Sequence, residues 1–132
     1  MGNFFNSNVM TTALLFAVFS CYGESMLPLL PDGHKVGVES VCYNDIEPGD
    51  VIVYEVQINH LPVAERSKAL DPIYVDWQRS IKNGKLRIMH RVILKVPGKN
   101  GYLILKGDNN PTADKFKIRA ENIVGKVNLL GF

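Results

Sequence analysis

Apolar and polar residues alternate along much of this chain with a period of two, the spacing that turns successive side chains to opposite faces of an extended strand. "HKVGVESV" (residues 34–41) alternates after the turn "PDG", and "DVIVYEVQI" (50–58) follows the turn "EPG". "LRIMHRVILKV" (86–96) is a long β-branched run that stops at Pro97-Gly98. "GYLILKG" (101–107) follows "GKNG", and "NIVGKVNLLGF" (122–132) supplies a last run. Helical periodicity is scarce. Short strands separated by Gly/Pro turns predict a mainly β, antiparallel domain, coiled into a partly open barrel.

Two stretches depart from this pattern. Residues 1–20 form an apolar N-terminal segment, but "VMTTALLFAVFSCYG" is about fifteen residues long, and a membrane span needs roughly twenty. No Lys or Arg flanks its start, and "MGNFFNS" has Asn6 where a myristoylation pattern wants Ser or Thr. Two readings fit residues 4–17: a short anchor or surface-lying helix running into a buried strand near Phe16–Cys21, or a wholly soluble leader. The second departure is an insertion at 59–87, which mixes charges, two prolines and the single Trp77. Within it "VAERSKAL" predicts a helical turn or two, stopped by Asp71-Pro72. Ile73, Tyr74, Val75 and Trp77 read either as a cap on the core or as an interfacial wedge for a bilayer. Residues 21–132 then form one domain carrying that insertion.

Composition narrows the function classes. At 132 residues and 46% hydrophobic the chain holds a single core, and 21% charged residues with a net charge of +2 argue against nucleic-acid binding driven by bulk charge. Cys21 and Cys42 fit neither a disulfide framework nor a four-ligand zinc site. They read as two small thiols, with a bridge between them open in an oxidising compartment.

Four polar residues sit oddly among the strands. Ser25 follows the first apolar run, in "CYGESMLPLL", and His90 interrupts a strand in "IMHRVI". Asp108 and Asp114 lie in the turn-rich loop "KGDNNPTADK". A serine hydroxyl becomes a nucleophile only when a base takes its proton. Imidazole suits that task near neutral pH, and a carboxylate fixes its tautomer and stabilises its charged form. The residues alone do not rank the two aspartates. His34 and His60 read as loop or strand-edge residues.

The local wording adds to this. "GESMLPLL…DGHKVGV", "IEPGDVIVYE", "HRVI", "KGDNN…D" and "NIVGKV" occur in that order, and together they resemble the signal peptidase I family. The form is that of the archaeal and endoplasmic-reticulum enzymes, with His90 where bacterial members carry a lysine. The resemblance covers residues 21–56 and 88–130. It implies a serine endopeptidase with no metal or cofactor, in which Ser25 is the acylating nucleophile and His90 its general base. It matches Asp114 to the catalytic aspartate and Asp108 to a loop-organising one. It also implies that Arg91 is structural, that Gly107, Asn109 and Asn110 shape the loop, and that the Ser25 amide donates to the oxyanion. Gly23 stands where many members place a second, hydroxyl donor. Met26 and Pro28 match the substrate-cleft strand, and Lys35, Lys82 and Lys85 do not occupy the family's base position.

The partner implied is the signal peptide of an exported preprotein, cut after small residues, with the catalytic domain at a membrane surface on the exported side. Accessory subunits are left open. The alternatives are a dedicated processing peptidase of the same superfamily and a non-catalytic peptide-binding β-barrel. A self-cleaving repressor fits less well, because its base is lysine.

Overall fold

The computed structural model describes residues 16–57 and 77–129. It is an antiparallel, seven-stranded sheet curled into a half-barrel. The strands are β1 (Phe16–Ser20), β2 (Lys35–Glu39), β3 (Val51–Gln57), β4 (Ile81–Lys82), β5 (Lys85–Val96), β6 (Tyr102–Lys106) and β7 (Ile123–Asn128). They run in the order β1-β2-β7-β3-β5-β4, with β6 paired to β5. Among the described residues no helix is long and apolar enough to cross a membrane.

The alternation read from the sequence recurs most clearly in β6, while β2 is buried along its middle. β2 buries Val36, Gly37 and Val38 between exposed ends, and β6 alternates strictly, burying Leu103 and Leu105. β3 departs from alternation because both of its faces are covered. Ile52, Tyr54 and Val56 join Leu86, Ile88, Val92, Leu103, Leu105 and Ile118 in one apolar cluster. Val51 and Val53 face the other way, into a second cluster with Met26, Val36, Val38, Met89 and Val127. A strand buried on both faces reads as a continuous apolar run, which is how "VIVYEV" is written.

Register shifts help the sheet curl. One lies in the β3–β7 pairing between Val53 and Tyr54, the other in the β5–β6 pairing between Val92 and Leu94. Each adds local twist where a strand bends. They let the 12-residue β5 pair with β3 through Arg91 and with β6 from Arg91 onward.

Two expectations change. The segment read as a buried strand near Phe16–Cys21 is a strand over Phe16–Ser20, but it pairs with β2 at the end of the strand order and leaves Val18 51% exposed. Cys21, just past it, is the residue that enters the core. The insertion read over 59–87 ends earlier than its composition suggests. A one-turn helix (Trp77–Ser80) leads into β4, which forms a hairpin with β5 around Asn83-Gly84. Both of these turn residues have positive φ, 54° and 76°, the two-residue turn whose twist matches its strands. The Asn-Gly pair was the available signal. The helix read over "VAERSKAL", His60, and Ile73, Tyr74 and Val75 lie outside the described residues, as does nearly all of the N-terminal segment.

Both cysteines are free thiols, Cys21 buried and Cys42 exposed. Burial first, and then the nearby Asp32 carboxylate, pushes the Cys21 thiol up to about 11. Near pH 8 only about one Cys21 in a thousand is then thiolate, the reactive form. An alkylating reagent is expected to label Cys42 in the folded protein and Cys21 only after denaturation, read by mass spectrometry. Equal labelling rates in the native state would contradict this packing.

Candidate active site

Ser25 lies in the turn that follows β1. Gly23, at φ 87°, bends the chain, and its N–H donates to Asp32 Oδ1 at 2.8 Å. Met26, with no exposed surface, anchors the turn in the core, and Leu30 N–H closes it on the Met26 carbonyl at 2.9 Å. The neighbouring 107–114 loop is stitched to this turn. Asn109 donates its amide N–H to the Ser25 carbonyl at 2.8 Å and its side-chain Nδ2 to the Glu24 carbonyl at 3.1 Å, while Asp108 N–H meets Met26 Sδ at 3.4 Å. The backbone carrying Ser25 is therefore held from both sides.

Gly107 makes that approach feasible. A Cβ there would lie 2.7 Å from the Ser25 carbonyl oxygen and 2.8 Å from Asn110 Nδ2, closer than packed atoms come. Gly107→Ala is expected to lower stability by about 1–3 kcal/mol, the usual cost of overpacking. A thermal melt measures this, and an unchanged midpoint would mean that the loop yields freely.

His90 sits on β5 opposite Ile52 and is wholly buried. Its Nε2 is 2.9 Å from Ser25 Oγ and its Nδ1 is 2.7 Å from Asp114 Oδ2. Asp114 is a carboxylate acceptor, so Nδ1 carries the proton and Nε2 is left to accept from the serine hydroxyl. Asp114 is itself tied back to the sheet, its N–H donating to the Leu105 carbonyl at 2.8 Å. Ser25 is only 2% exposed, and the side chains of His90 and Asp114 are both 0% exposed. Burial on this scale is costly for unpaired polar groups and tolerated when they bond to one another.

The two aspartates that the sequence leaves unranked go to opposite sides of β5. Asp114 meets His90. Asp108 instead receives the Arg91 guanidinium as a two-pronged pair, Nε to Oδ1 and Nη2 to Oδ2, both at 2.9 Å. Arg91 Nη1 reaches the Gly49 carbonyl at 2.7 Å. Adjacent strand residues point to opposite faces, so His90 and Arg91 separate their partners. The bond to Asp108 is the main cause that holds Arg91 above its ordinary range.

Among the described residues the Ser25 amide N–H donates to no backbone carbonyl. Gly23 adds no hydroxyl, and its amide is committed to Asp32. Met26, matched above to the substrate cleft, is a core residue instead, because the turn needs an apolar anchor. Pro28 is exposed, as are His34, Lys35, Lys82 and Lys85.

A cleft of about 510 Å³ opens beside Ser25, lined among others by Phe19, Tyr22, Val53, Ile88 and Met89. Arg79 and Arg87 on its rim are ion-paired, to Asp32 at 2.9 Å and Glu55 at 2.8 Å.

One member of the site was not singled out from sequence. Tyr54, on β3, donates its hydroxyl to Asp114 Oδ2 at 2.7 Å. The available signal was a lone phenol in a strand whose other buried positions are aliphatic. Comparison with known proteins adds no family: no protein-family model matches the sequence, and no curated protein matches it.

Proposed function

We propose that this chain is a serine endopeptidase of signal-peptidase type, cleaving exported preproteins after small residues through an acyl-enzyme. The observation that carries this reading is the continuous buried line from Ser25 Oγ through His90 to Asp114, with links of 2.9 and 2.7 Å. His90 Nε2 takes the serine proton as Oγ attacks the scissile carbonyl. The Ser25 amide meets the resulting oxyanion. Asp114 holds the imidazole in its Nδ1–H form and stabilises the imidazolium, which then protonates the leaving amine. Water, deprotonated by the same imidazole, releases the acyl group in the second half.

The cleft beside Ser25 supports an extended peptide as substrate. It is flanked by β1, which among the described residues pairs only with β2, and a peptide is well suited to add along such an edge. Pro28 remains the candidate peptide contact in the Ser25 turn. Location at a membrane face on the exported side belongs to the same proposal.

The test is cleavage of a preprotein carrying an A-x-A site, with lipid or detergent present and the product identified by mass. A single cut after the second alanine is expected. If folded protein leaves several such preproteins intact, the general signal-peptidase reading fails, and a dedicated processing peptidase or a non-catalytic peptide-binding barrel takes its place.

A further inference from the structure

We propose that Tyr54 is a positioning residue for the Ser25–His90–Asp114 line, its phenol fixing the Asp114 carboxylate and setting how strongly that carboxylate grips His90. The kinetic consequence rests on the peptidase reading; the spectroscopic one rests on geometry alone.

Tyr54 and His90 reach the same oxygen. Asp114 Oδ2 accepts from the Tyr54 hydroxyl at 2.7 Å and from His90 Nδ1 at 2.7 Å, while Oδ1 has no hydrogen-bond partner among the described residues. The strand register explains the convergence. His90 lies opposite Ile52 and Tyr54 opposite Ile88, so the two side chains are diagonal neighbours on one face of the β3–β5 pair. Both project toward the loop that brings Asp114 back to Leu105.

Packing does not account for the hydroxyl. Tyr54 is fully buried in an apolar cluster, its ring edge-on to Phe116 with centroids 6.4 Å apart. Phenylalanine would fill that space equally well, and a buried hydroxyl is a liability unless it is bonded. Its single partner among the described residues is Asp114. Burial foremost, and then the Asp114 charge and the bond to it, holds the phenol well above its usual range, so it stays a donor at any working pH. Two donors on one carboxylate oxygen share its electron density. Removing one strengthens the other but frees the carboxylate to turn.

The experiment follows the Nδ1–H proton of His90, which lies far downfield in the NMR spectrum when strongly hydrogen-bonded, alongside peptide cleavage. In Tyr54→Phe that resonance is expected to move further downfield as Asp114 leans on His90 alone. The thermal midpoint should fall by several degrees, and kcat should fall about tenfold at unchanged KM. Site-specific 3-fluorotyrosine at position 54 is a stronger donor with the ring retained, and is expected to move the resonance the opposite way. It keeps the test open if Tyr54→Phe does not fold. Phe116→Leu disturbs the ring packing but not the hydroxyl, and should leave the resonance in place.

A resonance unmoved by either change at Tyr54 overturns the proposal, as does a shift reproduced by Phe116→Leu. A resonance that moves as expected in protein that cuts no peptide upholds the role of Tyr54 and removes the peptidase reading instead. A wild type with no such resonance overturns the buried Asp114–His90 bond, and the positioning role with it.

Discussion

Ser25→Ala is expected to abolish cleavage, lowering kcat on the order of 10⁴- to 10⁶-fold, while the protein stays folded. The substitution removes one oxygen and keeps the backbone that Asn109 grips through the Ser25 carbonyl. What it leaves behind is a His90 Nε2 without its partner, in a site that water scarcely reaches. That costs about 1–3 kcal/mol at most, so a folded, inactive protein is the predicted outcome. Activity within tenfold of wild type would remove Ser25 as the nucleophile.

His90 demands a gentler change than alanine. His90→Ala opens a cavity and strands the buried Asp114 charge, a change of about 3–5 kcal/mol where one partner of a buried pair is lost. His90→Gln retains volume and an amide donor for Asp114 yet offers no basic nitrogen. It is expected to match Ser25→Ala in rate. Because the two groups act as a unit, the double variant should be no slower than either single one. An additive loss in the double variant would argue that they act apart.

The second large effect separates the two aspartates. Asp114→Asn is expected to cost roughly 10³- to 10⁴-fold in kcat, with only a modest change in stability, as loss of the carboxylate behind a catalytic histidine does elsewhere. The amide keeps the shape and can still accept from Tyr54. It no longer carries the charge that stabilises an imidazolium. Asp108→Asn loses instead the charge in a two-pronged bond to Arg91, whose side chain is 29% exposed. Water screens such a pair, so its stability contribution is about 1 kcal/mol or less. Its rate effect, transmitted through the loop that holds the Ser25 carbonyl, is expected at about tenfold. Single-turnover rates with parallel melts give the ranking. Asp108→Asn proving the slower of the two would place the weight on the Arg91 bond and demote Asp114.

That ranking shows where reading the chain stops. Asp108 and Asp114 are six residues apart in a loop rich in turn formers, and either can satisfy its own backbone there. Loop spacing does not set the direction of a side chain. The direction comes from the sheet: His90 and Arg91 are consecutive on β5, point to opposite faces, and each receives one aspartate. Tyr54 stayed hidden for a related reason. In "VIVYEV" it has the size and period of a core residue, and only the return of the 107–114 loop places a carboxylate above it. Met26 differs in the other direction, since the resemblance matches it to a substrate cleft while the turn buries it completely.

The sequence by itself determined the strands, because alternation, β-branched runs and Gly/Pro turns are local signals that need no distant partner. The five runs first read as strands correspond to β2, β3, β5, β6 and β7. It also singled out Ser25, His90 and the two aspartates as candidates before their contacts were on view. Tertiary structure decided what meets what. It covered both faces of β3, put β1 at the end of the sheet, and joined Ser25, His90 and Asp114 across separations of 65 and 24 residues. Such contacts depend on how the sheet curls and where loops return, and no short window of sequence contains either.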